Sequence, residues 1–334
     1  MTKKIPLKTP VVSTASLKNQ AETVSNLYSN LSDEIFANFL KYLTNHASDL
    51  TQKNALQWQA ERLNEFQALN NDNIAIIAKY MNIAQSKLKQ LLQDNGIKVY
   101  SSTLKALPKG FDTTSDVLTA LKATVTQTYT NLKNITNQTM LNTNLTNGNI
   151  GTKTAFDQYN DAITKAVASV TNGTASYQDA IEGAVSDWIN TGTVGYFTDK
   201  AGKQWSLDNY ARTNVTSTSF RTYNQMRTQP AKDNGIHLFY MSQHDAPREA
   251  CEDIQGKIVY DPRTGDMTDE EAALNPPNLA DYGLGDPGGT FGINCHHYLT
   301  PYVAGVNLDP NDEDEAEDEE SDLNSDDDSY GDDQ

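Results

Sequence analysis

Both cysteines of this chain, Cys251 and Cys295, and four of its five histidines fall between Ile236 and Gly305. That crowding constrains the fold more than anything else in the sequence. The segment must bring chemically similar side chains together around little apolar material, because only 37% of the chain is hydrophobic. Two halves carry the pattern. The first, Gly235 to Tyr260, contains His244 and Cys251 with six residues between them; the second, Phe291 to Gly305, contains Cys295 and His297 with one between. Pro247 starts a turn, and a helical turn from there would carry Cys251 back toward His244.

Upstream the sequence is helical and chemically plain. Residues 1–15 read as a flexible arm in which Pro6 and Pro10 oppose helix. Leu27, Leu31, Ile35, Phe36, Phe39, Leu40 and Leu43 recur at helical spacing and predict one apolar face, with Ser32-Asp33-Glu34 offering a helix start inside the run. A second set, Ile74 to Leu91, points to another helix that stops at Asn95-Gly96. Thr114-Ser115-Asp116 caps a third; Asn131 to Thr152 fits either a polar helix or a loop. Two more amphipathic helices are expected over about 155–170 and 177–190. The texture then changes. Val194 to Trp205 reads as a hairpin, and a helix from Leu207 is expected to lose regularity near Gln229, ahead of Pro230. Strands follow at 236–242, 258–260 and 298–303, separated by a Pro-, Gly- and Asp-rich excursion.

The expected fold class is therefore α+β. A mainly helical region, 16–193, precedes a small α+β domain, 194–305 (hairpin, long helix, short strands), and a disordered acidic tail, 306–334. No Lys or Arg occurs after Arg263, and Asp309 to Asp333 hold fifteen acidic side chains. Of the net charge of −18, the remainder of the chain thus carries only −3, with no basic block of the kind duplex-DNA binders use. A run of that composition has nothing to bury. No apolar stretch approaches bilayer-spanning length, and the N-terminus lacks the apolar core of a signal peptide.

Two thiols and two imidazoles make a ligand set that zinc takes in structural sites. The same residues would also serve as small buried thiols and hydrogen-bonded imidazoles. Asp245 beside His244, His296 and His297 opens a further reading, a divalent-metal nuclease centre.

The run Ser242, His244, Arg248, Cys251, Gln255, Gly256, Lys257, followed by Gly292-Ile293-Asn294-Cys295, His297, Pro301, Tyr302 and Gly305, resembles the phage minor capsid protein 2 family, itself similar to phage Mu protein F-like head morphogenesis proteins. The clear resemblance covers Val194 to Gly305. Cys251 stands where the family pattern has histidine, which keeps a metal ligand, and His296 where it has arginine. The resemblance implies a non-enzymatic minor structural protein of the virion head. Its expected partners are the portal protein, the major capsid or scaffolding protein, and packaged DNA. Its expected locations are the head–tail vertex and, during assembly, the host cytoplasm. On this reading His244, Cys251, Cys295 and His297 hold one structural zinc, while Arg248, Gln255, Gly256 and Asn294 shape the site; the alternative is a metal-dependent nuclease acting on phage DNA.

Overall fold

The computed structural model describes residues 6–7, 10–45, 49–107, 116–140, 154–190, 196–199 and 201–310. It is mostly helical, with a small antiparallel sheet near its C-terminal end. The contacts divide it into two compact units that interleave in sequence. One holds Lys18–Leu91 and Lys122–Val215; the other holds Met1–Leu17, Leu92–Leu121 and everything from Thr216.

The first unit is built from long helices. Helix α1 (Thr14–Thr44) opens where the Ser13 hydroxyl accepts the Ser16 amide, just past Pro10. Leu31, Ile35, Phe39 and Leu43, one turn apart, are all fully buried, while Leu27, Phe36 and Leu40 flank them half-buried. The helix does not restart at Ser32. Its hydroxyl donates back to the Tyr28 carbonyl, so it serves α1 from within instead of capping a new helix. Phe39 packs against Tyr159 at 5.1 Å and Trp188 at 5.5 Å between ring centroids; these come from α6 (Ala155–Thr171) and α7 (Tyr177–Asn190). A reciprocal Thr154–Asp157 capping box starts α6.

Helix α5 (Val117–Met140) settles part of the polar stretch as helix, and residues 141–153 lie outside the described residues. Its threonines fold without loss because Thr128 and Thr136 donate to carbonyls one turn back, while Leu132, Thr136 and Met140 face the core. The hairpin pairs β1 (Tyr196–Thr198) with β2 (Gln204–Ser206). Asp199 holds its turn by accepting the Ala201 and Lys203 amides and the Trp205 indole N–H, which keeps its carboxyl below the usual range. Val194, Gly195 and Lys200 of the expected hairpin lie outside the described residues.

The expected stop at Asn95-Gly96 is corrected by the structure. After α2 (Ala55–Asn64) and α3 (Phe66–Leu88) the chain passes through a π-helical turn, Lys89–Asp94, straight into α4 (Asn95–Ala106). Gly96 is there for closeness: a Cβ would sit 2.6 Å from a Leu121 methyl. Similarly, α8 (Leu207–Asp233) carries Pro230 inside its last turn rather than ending before it, and the Asn234 side chain donates to the Pro230 carbonyl at 2.7 Å.

In the second unit the sheet order is β4-β3-β5, with β3 (Leu238–Met241) pairing antiparallel to β4 (Ile258–Tyr260) and to β5 (Leu299–Tyr302). Its core gathers Phe239, Met241, Val259, Leu279 and Leu299 with Ile254 and both cysteines. Strands this short hold little hydrophobic area, so side-chain hydrogen bonds take on much of the positioning. Among the described residues no helix is long and apolar enough to cross a membrane.

Candidate metal centre

Each functional side chain is placed by a local device. Ser242 closes the end of β3: its amide donates to the Tyr298 carbonyl at 3.0 Å and its hydroxyl accepts the Tyr298 amide at 2.9 Å. His244 follows two residues later. Past Pro247 comes the short helix α9 (Glu249–Glu252), which presents Cys251 to the core. The amides of Gln255 and Gly256 then return to the carbonyls of Cys251 and Met241, and Gly256 makes this turn at φ +72°.

The second half is held by Arg248. Its guanidinium donates to three backbone carbonyls of the facing loop, those of Pro287, Gly289 and Ile293. This clamp sets the path of residues 287–293 and so delivers Cys295. Inside the same loop, Gly289 lies so close to Gly283 that a Cβ would fall 1.9 Å from the Gly283 carbonyl oxygen. Gly289→Ala is expected to cost about 3 kcal/mol, the upper end of the overpacking range, because backbone and not a side-chain tip must move; urea denaturation measures it. Asn294 adopts φ +60°, a left-handed conformation that asparagine tolerates, and its amide donates to Ser217.

The outcome is a convergence of Cys251, Cys295 and His297, all buried, with one ligand atom from each lying within 4.8 Å of the others. His297 Nδ1 is 3.4 Å from Cys295 Sγ. The Cys251 thiol hydrogen-bonds Cys295, an interaction that pushes Cys295 down and Cys251 up, and His297 adds to the lowering at Cys295. His244 is stacked on His297, ring centroids 4.0 Å apart, but is not one of the three convergent residues. Gln255 Oε1 lies between the histidines, accepting the His244 amide at 3.2 Å and contacting His297 Nε2 at 3.0 Å. His237 sits at the opposite end of β3, its ring beside the Thr264 hydroxyl. His296 packs against Phe220 at 5.0 Å, and Asp245 is exposed.

Two site-building residues escape the sequence reading. Asn224 of α8, buried, donates to the His297 carbonyl and accepts the Leu299 amide, so it holds the backbone on which His297 is mounted. Thr290, fully buried, donates from its hydroxyl toward the Ala250 and Tyr282 carbonyls and lies 3.9 Å from Cys251 Sγ. Asn224 has a sequence signal, a polar residue flanked by the apolar Tyr223 and Met226 of the same helix; Thr290 has none.

The family model for phage minor capsid protein 2 matches residues 12–330. This chain belongs to the phage minor capsid protein 2 family. The match reaches well beyond Val194–Gly305, so the helical unit is part of what the family shares. A structural protein of Lactococcus phage LL-H is 35% identical over 292 residues, covering 85% of this chain and 76% of that protein. A structural protein of Lactococcus phage mv4 is 57% identical over 37 residues, 10% of this chain and 30% of that one. No solved structure matches. The minor capsid protein thus has its Arg248, Gln255, Gly256 and Asn294 arranged around a buried Cys–Cys–His cluster.

Proposed function

We propose that this minor capsid protein is a non-enzymatic component of the phage head that sits at the portal vertex. The observation carrying this reading is the family match over residues 12–330, supported by the phage structural protein related along most of the chain. The architecture suits it. Helix α1, at 31 residues, offers roughly 46 Å of continuous surface for a helical partner such as the portal. Contact with packaged DNA would fall on a concavity of about 510 Å³ between α8 and the 284–293 loop, where Arg221 and Lys232 stand with Asp286 and Arg263 is paired with Asp261.

The nuclease alternative needs Asp245 and the histidines around an accessible metal position. Asp245 is exposed and apart from the convergent residues, which are themselves buried. The test is co-expression of the full chain with the portal protein of its phage, followed by affinity capture on the portal. A stable complex is expected. A folded portal that retains none of this chain would contradict the portal placement.

A further inference from the structure

We infer that Cys251, Cys295 and His297 hold one structural zinc ion, with His297 bound through Nδ1 and His244 closing the fourth position through Nε2. The inference goes beyond the head-protein reading, which stands or falls separately.

The hydrogen bonds assign the tautomers. Gln255 Oε1 accepts the His244 backbone N–H, and that donor fixes the orientation of the amide. The same oxygen faces His297 Nε2 at 3.0 Å, so Nε2 carries the proton and Nδ1 is left bare. Nδ1 is the nitrogen directed at Cys295 Sγ, 3.4 Å away. In a tetrahedral site with Zn–S of about 2.3 Å and Zn–N of about 2.0 Å, adjacent sulfur and nitrogen lie roughly 3.5 Å apart, and two sulfurs roughly 3.8 Å. Three ligand atoms within 4.8 Å of one another are already near that geometry.

His244 shows the complementary arrangement. Its Nδ1 faces the Asp245 carbonyl at 2.8 Å and must carry the proton there, because a carbonyl can only accept. Its Nε2 is then a bare acceptor, buried, with no hydrogen-bond partner. A buried polar atom left without a partner in a protein interior calls for an explanation, and a metal ion supplies one. Since His244 stands against the His297 ring without joining the three convergent ligands, it closes onto the ion and does not preform the site.

The donor set selects the metal. Two thiolates and two imidazoles in a closed, buried site suit zinc, and full protein ligation leaves no position for catalysis. Gln255 is a positioning residue: it touches the ligands and not the ion, and holds His297 with its Nδ1 lone pair inward. The ion would tie α9 to the segment entering β5, elements that are far apart in sequence and meet over a thin core.

The test uses the full-length chain, purified reduced after expression in zinc-supplemented medium. One zinc per chain is expected by elemental analysis, with both thiols shielded from a thiol reagent until the metal is chelated. Cobalt(II) in its place is expected to give sulfur-to-cobalt charge-transfer absorption. Gln255→Leu is expected to weaken zinc affinity ten- to a hundredfold, and Gln255→Glu, which still accepts from His297, to restore it. Cys295→Ser, which removes a ligand outright, is expected to abolish binding, and the Gln255 pair keeps the proposal falsifiable where that variant fails to fold. A folded wild-type chain that retains no zinc and gives no cobalt–thiolate band would overturn the site, as would a Cys251–Cys295 disulfide in the purified protein. Unchanged affinity in His244→Ala would overturn the assignment of the fourth ligand.

Discussion

Chelating the proposed zinc from the full-length chain is expected to abolish amide-exchange protection across β3, β4 and β5 while α6 and α7 keep theirs. The sheet has strands of three or four residues, and its core is drawn from loops as much as from strands. A small core of this kind contributes only a few kcal/mol net, whereas structural zinc sites show apparent binding energies of roughly 10–16 kcal/mol at neutral pH. Losing the ion leaves two thiols and two imidazoles around a space shaped for something else. The strands should then exchange through local opening, at free energies far below that of global unfolding. The helices of the other unit have no share in the cluster and serve as the internal reference. Identical exchange profiles with and without chelator would contradict the account of how this unit is held together.

The second large effect falls in the helical unit. Phe39→Ala is expected to lower stability by about 3–5 kcal/mol, the usual cost of removing a buried aromatic ring and leaving a cavity. Phe39 is fully buried and its ring meets both Tyr159 and Trp188, so one truncation weakens the packing of α1 against α6 and α7 together. About 0.5–1.5 kcal/mol of the loss belongs to each aromatic pair, beyond the area term. Phe39→Leu, which refills most of the space, should lose much less. Urea denaturation followed by far-ultraviolet circular dichroism separates the two. A shift below 1 kcal/mol for the alanine variant would mean that this core collapses freely around the gap.

Local periodicity was enough to read the buried face of α1. The i, i+4 row from Leu31 to Leu43 announces its buried face because helix geometry alone puts those positions in line. What a linear reading lacks is knowledge of distant neighbours. Gly96 looks like a helix stop, yet it serves a close contact with Leu121, twenty-five positions away. Ser32 looks like a cap because its hydroxyl could serve either role, and the carbonyl of Tyr28 decides. Pro230 looks like a stop because it has no N–H to donate, yet α8 continues three residues past it. The interleaving of 92–121 with the chain after Thr216 likewise depends on contacts that no spacing encodes.

At the candidate site the residue types were legible and the geometry was not. The cysteines and histidines stand out by their rarity elsewhere in the chain. That Cys251, Cys295 and His297 converge while His244 stacks beside them follows from Arg248 gripping the facing loop and from Asn224 holding the His297–Leu299 backbone. Arg248 is pointed to by the family resemblance and Asn224 by its polar place on an apolar helix face, but what each holds cannot be inferred from spacing, because backbone partners leave no complementary residue to find. The acidic residues from 311 onward lie outside the described residues.

The central claim, that this family member is a structural part of the head at its portal vertex, is tested most directly by taking purified virions apart. Heads, tails and the portal-containing vertex would be separated, and this chain quantified against the portal protein in each fraction by mass spectrometry. The account predicts a few copies per virion, found with the head and retained on the portal vertex. Recovery with tails alone, or absence from the virion altogether, would contradict it.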